Sequence, residues 1–297
     1  MNVSTKTPEK NSETSKIDIS KRIVLAYLVM IIALTIPILI IQYLEVFVDQ
    51  PLYQHFVQAI FIGAVAVVGI WFLRSKIDKG IPVSIGLTNV PKAVKQFLLG
   101  FGLIAVPLII TVLFSKIFGW GEVSFNFSSG ILISVMIGFV STFFTDALTE
   151  ELIFRGYIYS NLKEKFNTLI SSLITLGSFV LIPIVIFLVQ TQLGIKGYLG
   201  GSEIITGGFI ITMIFFGSFV QYLRILSKSI WVGVGFHTFF VHMNSIIGVS
   251  DKNLIQYPTT TNQQPIQLTL MILLLIVFIG TIVYPIVIKR RKKSHNL

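Results

Sequence analysis

The chain has no cysteine, which removes disulfides, thiol nucleophiles and thiolate metal ligands. Charge is also scarce. Only 12% of the 297 residues are Asp, Glu, Lys or Arg, against 54% hydrophobic residues, and the mean hydropathy is +0.84. No polar stretch is long enough to form a soluble domain of useful size. No internal repeat, phosphate-binding loop or paired-histidine zinc helix is present either. Acidic residues number 13 against 23 basic ones, giving a net charge of +10. A balance of that sign fits nucleic acid or an anionic membrane surface, and the distribution of the charges decides between them.

What is abundant is long apolar runs. Stretches of about 18 or more apolar residues mark membrane-spanning helices, and eight are predicted: Ile23–Leu44, Phe56–Leu73, Phe97–Phe114, Ile131–Leu148, Leu169–Val189, Ile204–Leu223, Ile230–Ile247 and Ile266–Ile288. The expected fold class is all-α, a polytopic membrane helix bundle forming one domain over residues 23–288. Residues 1–22 read as a disordered polar tail and 289–297 as a basic one. The first run is too long for a signal-peptide core and lacks a small-residue cleavage site, so it reads as an uncleaved span. Pro37, Pro107, Pro183 and Pro285 lie inside spans, where neighbouring helices can satisfy the freed carbonyls.

Basic residues mark the cytosolic side of a membrane protein. With the amino terminus in the cytosol, all 23 Lys and Arg except Arg155, Lys116, Lys196 and Lys252 fall in the tails or in inner loops. The outer loops carry Glu45, Asp49, Glu122, Glu203 and Asp251. Both termini are therefore expected in the cytosol. The basic balance is accounted for by topology and by affinity for lipid head groups, without nucleic acid. Gly80–Pro91, broken by Pro and Gly, reads as a segment lying on the inner face, and Asp251–Pro265 as a polar, mobile outer loop.

One stretch is out of character with the rest. Asp146-Ala-Leu-Thr-Glu150-Glu151-Leu-Ile-Phe-Arg155-Gly156 places three carboxylates and a guanidinium at the end of an apolar run. Each costs about 2.5–3.5 kcal/mol at a helix centre on insertion scales. Glu151 and Arg155 are four apart with the acid first, the favourable order for an ion pair on one helix face. Glu150 points about 100° away from Glu151 and is left free of that pair, as a general base would need to be. The plain alternative is that these groups only mark a helix end and snorkel to the interface.

Glu150-Glu151-x-x-x-Arg155 followed by Gly156 resembles the first motif of the CPBP family of intramembrane proteases, the CAAX-prenyl protease and bacteriocin-processing group, also called Abi. The resemblance covers about residues 131–247. It implies a hydrolase in which the first glutamate activates water. A Phe-x-x-x-His in the next span, and a His followed four residues later by Asn or Asp, would complete the site by assisting the water and stabilising the oxyanion. Phe179 matches the phenylalanine, but Pro183 stands at the histidine position. His237, with its Ser229-Ile230-Trp231 lead-in, matches the later histidine, but Val241 stands where its partner belongs.

Neighbours do not fill these gaps. Asn244 lies about 10 Å along the helix from His237, and His242 reads as a polar side chain bonded to a neighbouring helix. Asp146 shares the Glu150 face and raises the idea of a metal site with His237, but a catalytic zinc takes three protein ligands. Neither a metal nor a cofactor is expected. By resemblance, the chain is an intramembrane endopeptidase with Glu150 as base, Arg155 holding Glu151 and His237 assisting the polarised carbonyl. Its partners are then membrane lipid and a peptide or membrane-protein substrate. Pro183 and Val241 carry a second reading: a lapsed protease serving as a scaffold for cell-envelope proteins or as a bacteriocin-immunity factor. A transporter fits less well, because no symmetrical halves are evident.

Overall fold

A computed structural model of the chain describes residues 10–43, 51–78, 84–120, 122–195, 205–257 and 264–294. Among these residues there are eight long helices: α1 (Lys10–Tyr43), α2 (Pro51–Phe72, ending in a π-helical turn over Leu73–Ile77), α3 (Val90–Ile117), α4 (Ser129–Leu162), α5 (Thr168–Gln192), α6 (Gly207–Ser227), α7 (Trp231–Ile246) and α8 (Gln264–Ser294). This is an all-α polytopic membrane bundle. The starts follow from capping: Asn89, Asn167 and Thr206 each accept a hydrogen bond from the backbone N–H three residues on.

Seven of the helices are long and apolar enough to cross a membrane. The exception is α7. The seventh predicted span is present as a helix, but its 16 residues make about 24 Å of helix against a hydrocarbon core of about 30 Å. Residues 232–239 are all buried, so protein rather than lipid surrounds α7 and no apolar run of full bilayer length is required. Its most extensive contact is with α3, where glycines let the two backbones meet. A Cβ on Gly235 would lie 2.0 Å from the Phe97 carbonyl oxygen, and one on Gly100 would lie 1.9 Å from that of Val232.

Three further points differ from the sequence reading. Helix α1 begins at Lys10, inside the stretch read as disordered, because extending an existing helix costs far less than nucleating one. Helix α4 runs without interruption to Leu162, so the charged motif lies inside a helix and not at its end. Residues 251–257 are held in place: β3 (Ile255–Gln256) pairs antiparallel with β1 (Ser124–Phe125) and parallel with β2 (Ile247–Gly248). The Asn253 amide also donates to the Asn244 carbonyl at 2.8 Å. Glu45, Asp49, Lys79, Lys196, Glu203 and residues 80–83 and 258–263, all used in the sequence reading, lie outside the described residues.

A buried polar cluster ties α1, α2 and α4 together. Asp78 takes the Tyr157 hydroxyl at 3.0 Å and the Arg74 guanidinium at 3.1 Å, and Arg22 lies 3.3 Å away. Arg22 also donates to the Asn161 side chain at 3.1 Å. Arg22 was counted above among the charges of the amino-terminal tail. The structure buries it, because Asp78 supplies the opposite charge that makes burial tolerable.

Candidate functional site

The site is built on an irregular helix. Between its α-helical ends, α4 is π-helical over Phe143–Leu148 and again over Glu151–Ile158, so Glu150 sits between two widened segments. Widening of this kind is frequent at functional positions. The four residues singled out from the sequence, Glu150, Glu151, Arg155 and His237, come together here, three from α4 and one from α7.

Glu151 is fully buried (0% exposed) and Arg155 is 1% exposed. The Arg155 Nη1 donates to Glu151 Oε1 at 3.2 Å, so the four-residue spacing closes into an ion pair inside the bundle. Snorkelling does not occur, because other groups also hold the guanidinium. Its Nη2 donates to the Gly217 carbonyl at 3.3 Å, and the Phe179 ring lies under it at 4.0 Å, a cation–π contact. The matched phenylalanine of the second motif therefore serves the arginine of the first.

His237 Nδ1 lies 3.2 Å from the same Glu151 Oε1. An ionised carboxylate only accepts, so Nδ1 carries the proton in this contact. That leaves Nε2 directed at Glu150, 3.8 Å from its Oε2, while Phe216 packs edge-on against the ring at 4.6 Å. Glu150 is the more open acid, with 17% of its side chain exposed. The arrangement thus has a spine, Arg155–Glu151–His237, and a free carboxylate beside its end.

Pro183 is buried in α5 one turn beyond Phe179 and offers no hydrogen-bond donor. Val241, one turn beyond His237, is 42% exposed and equally without a polar group. Neither His242 nor Asn244 replaces them. The His242 ring lies against Gly138 and Phe139 of α4, and the Asn244 side chain is exposed. Asp146 stands near enough to Glu150 and His237 to act on both electrostatically. No group of three or more His, Asp or Glu placed to hold a metal ion occurs among the described residues.

Two contributors escaped the sequence reading. Arg224, counted there as a loop charge, is buried near the end of α6, and its Nε donates to the Arg155 carbonyl at 3.0 Å. Gly233, one turn before His237, gives Glu151 its room, since a Cβ there would stand 3.1 Å from Oε2. The signal for Gly233 was its four-residue spacing from His237. Arg224 gave none, because a basic residue near a span end is what topology alone predicts.

Residues 131–243 match the family described as type II CAAX prenyl endopeptidase Rce1-like. No curated protein and no solved structure matches the chain.

Proposed function

We propose, from the match of residues 131–243 to the Rce1-like, CAAX-protease family, that this multi-pass membrane protein hydrolyses peptide bonds with Glu150 as the general base. The observation that carries the reading is the division of labour between the paired acids. Glu151 is committed to Arg155 and His237, while Glu150 stays open and faces the remaining imidazole nitrogen.

In this mechanism a water held by Glu150 gives it a proton and attacks the carbonyl carbon. His237, aligned by its Nδ1 bond to Glu151 and carrying a proton on Nε2 as well, donates from Nε2 to the developing oxyanion. Glu150 then passes its proton to the leaving amine, which restores the carboxylate. Arg155 acts through Glu151 and is a positioning residue. A cavity of about 460 Å³ between α3, α4 and α7 is lined by Phe97, Phe139, Phe143, Phe144 and Trp231. It lies about two turns from Glu150 along α4 and suits an apolar part of the substrate. By the charge count, the termini and the site face the cytosol, and the resemblance of the Glu150–Arg155 motif supports a bacterial plasma membrane.

With Pro183 and Val241 in place of two polar groups, the oxyanion is left with His237 alone. Loss of a single such donor costs about 10²–10³ in rate, so turnover is slow. The same two residues support the second reading, a scaffold or immunity factor in which the ion pair only holds helices together.

The test compares cells expressing wild type and Glu150→Gln at equal abundance, using terminal-peptide mass spectrometry of the membrane fraction. New protein termini that depend on Glu150 support the protease. Identical termini in the two strains, with the phenotype retained by Glu150→Gln, leave the scaffold.

A further inference from the structure

A second cavity, of about 300 Å³, lies where α4 gives way to α5 and α6 to α7. Its lining includes Ser84, Tyr159, Ser160, Lys163, Arg224 and Lys228, three cations and several hydroxyls without a carboxylate among the described residues. A basic residue near one helix C-terminus is explained by the helix dipole. That explains Arg224 and Lys228 singly. It does not explain their convergence with Lys163, from a different helix end, on one concave surface.

The details of the three cations favour an anion. Arg224 is held rigidly: Nε bonds the Arg155 carbonyl at 3.0 Å, and Nη2 bonds the Ser84 carbonyl and the Ser160 hydroxyl at 3.4 Å. Its Nη1 takes part in none of these bonds. Lys163 is oriented by a 2.9 Å bond from Nζ to the Thr168 hydroxyl. Lys228 caps α6 with φ at 57°, a left-handed conformation that glycine or asparagine adopts at lower cost. Placing a lysine there puts a charge on the cavity rim in spite of the backbone.

The surroundings specify the kind of anion. Ile225 and Thr168 also line the cavity, and Leu169, next in α5 after Thr168, and Leu173 one turn on are 67% and 58% exposed. A polar, cationic cup bordered by apolar side chains matches a phosphate attached to acyl chains. We propose that this cavity binds the phosphate of an anionic membrane lipid, the head group seated among Lys163, Arg224 and Lys228 and the chains lying along Leu169 and Leu173. The site shares Arg224 with the frame of the Glu150 site, through the Arg155 carbonyl, but does not depend on the proteolytic reading.

The experiment uses the purified full chain and native mass spectrometry, with phosphatidylglycerol, phosphatidylcholine and inorganic phosphate as separate probes. The variant is Lys163→Ser combined with Lys228→Gly. The glycine relieves the strained backbone, so thermal stability should hold or rise while two charges are lost. At about fivefold per cation near the surface, phosphatidylglycerol affinity should fall about 30-fold, with phosphatidylcholine unchanged. Lys228→Gly alone should cost about fivefold and provides the same test should the double variant fold poorly. Unchanged phosphatidylglycerol affinity in the folded variants would overturn the site. Inorganic phosphate binding as tightly as the lipid would overturn the lipid assignment in favour of a free anion.

Discussion

Replacing Arg155 with alanine is the sharpest probe of the charged spine. The change removes three contacts at once: the 3.2 Å pair with Glu151, the 3.3 Å bond to the Gly217 carbonyl, and the cation over Phe179 at 4.0 Å. These share one side chain and do not add independently. The dominant loss is that Glu151, fully buried, keeps His237 as its one remaining partner among the contacts described. Breaking a buried pair in this way costs about 3–5 kcal/mol. For a chain of this size that is a fall of about 5–8 °C in melting temperature, measured on the detergent-purified protein beside wild type and Glu150→Gln. The last should melt close to wild type, because Glu150 is partly open and takes no part in the pair. Removing both charges, as Glu151→Gln with Arg155→Met, should recover much of the loss, since no unpaired charge then remains. A melting temperature for Arg155→Ala within a degree of wild type would refute the reasoning. A double variant as unstable as the single one would refute it as well.

Gly235→Leu should abolish folded protein, seen as loss of the monodisperse peak in size-exclusion chromatography, because the added atoms overlap the Phe97 backbone; a normal peak would mean that α3 and α7 do not cross there. Pro183→His together with Val241→Asn should raise cleavage in the terminal-peptide assay by 10-fold or more if an incomplete oxyanion site limits the rate, about 10²–10³ being expected for each donor; no gain would point to the scaffold. Reporter fusions after Arg74, Lys165 and Lys289 should give cytosolic signals, and fusions after Lys116 and Lys252 external ones. An external signal at Lys165 would invert the orientation.

The helices were legible because each needs an apolar run, and hydropathy reads such runs directly. The length of α4 was not, because the run ends at Leu148 while the helix continues to Leu162. The charges that appear to close the span are neutralised by one another and by neighbouring helices, information that lies in Gly217 and Phe179 and not in the segment itself. The pairing of Glu151 with Arg155 was readable from spacing, since both partners lie on one helix. The bond from Glu151 to His237 joins residues 86 apart, and without the family resemblance only the fold could show it. Arg22 and Arg224 were misread for a related reason. A basic residue near a span end looks alike whether it faces solvent or a buried carboxylate such as Asp78.

The shortness of α7 has a bearing on how the proposed hydrolysis would reach its second reactant. A bilayer interior is dry, and peptide hydrolysis consumes one water for every bond cut. Because α7 falls short of the hydrocarbon thickness, its two ends are met by chain that is not helical: Ile230 donates to the Gly86 carbonyl at one end, and Ile247–Gly248 pairs with Ile255–Gln256 at the other. Irregular backbone at such depth persists only when enclosed by protein or touched by solvent. The bundle therefore carries, around the helix that holds His237, polar main chain both above and below the site. Under the hydrolysis proposed for Glu150, that polar main chain is where water would approach the site inside an otherwise apolar bundle.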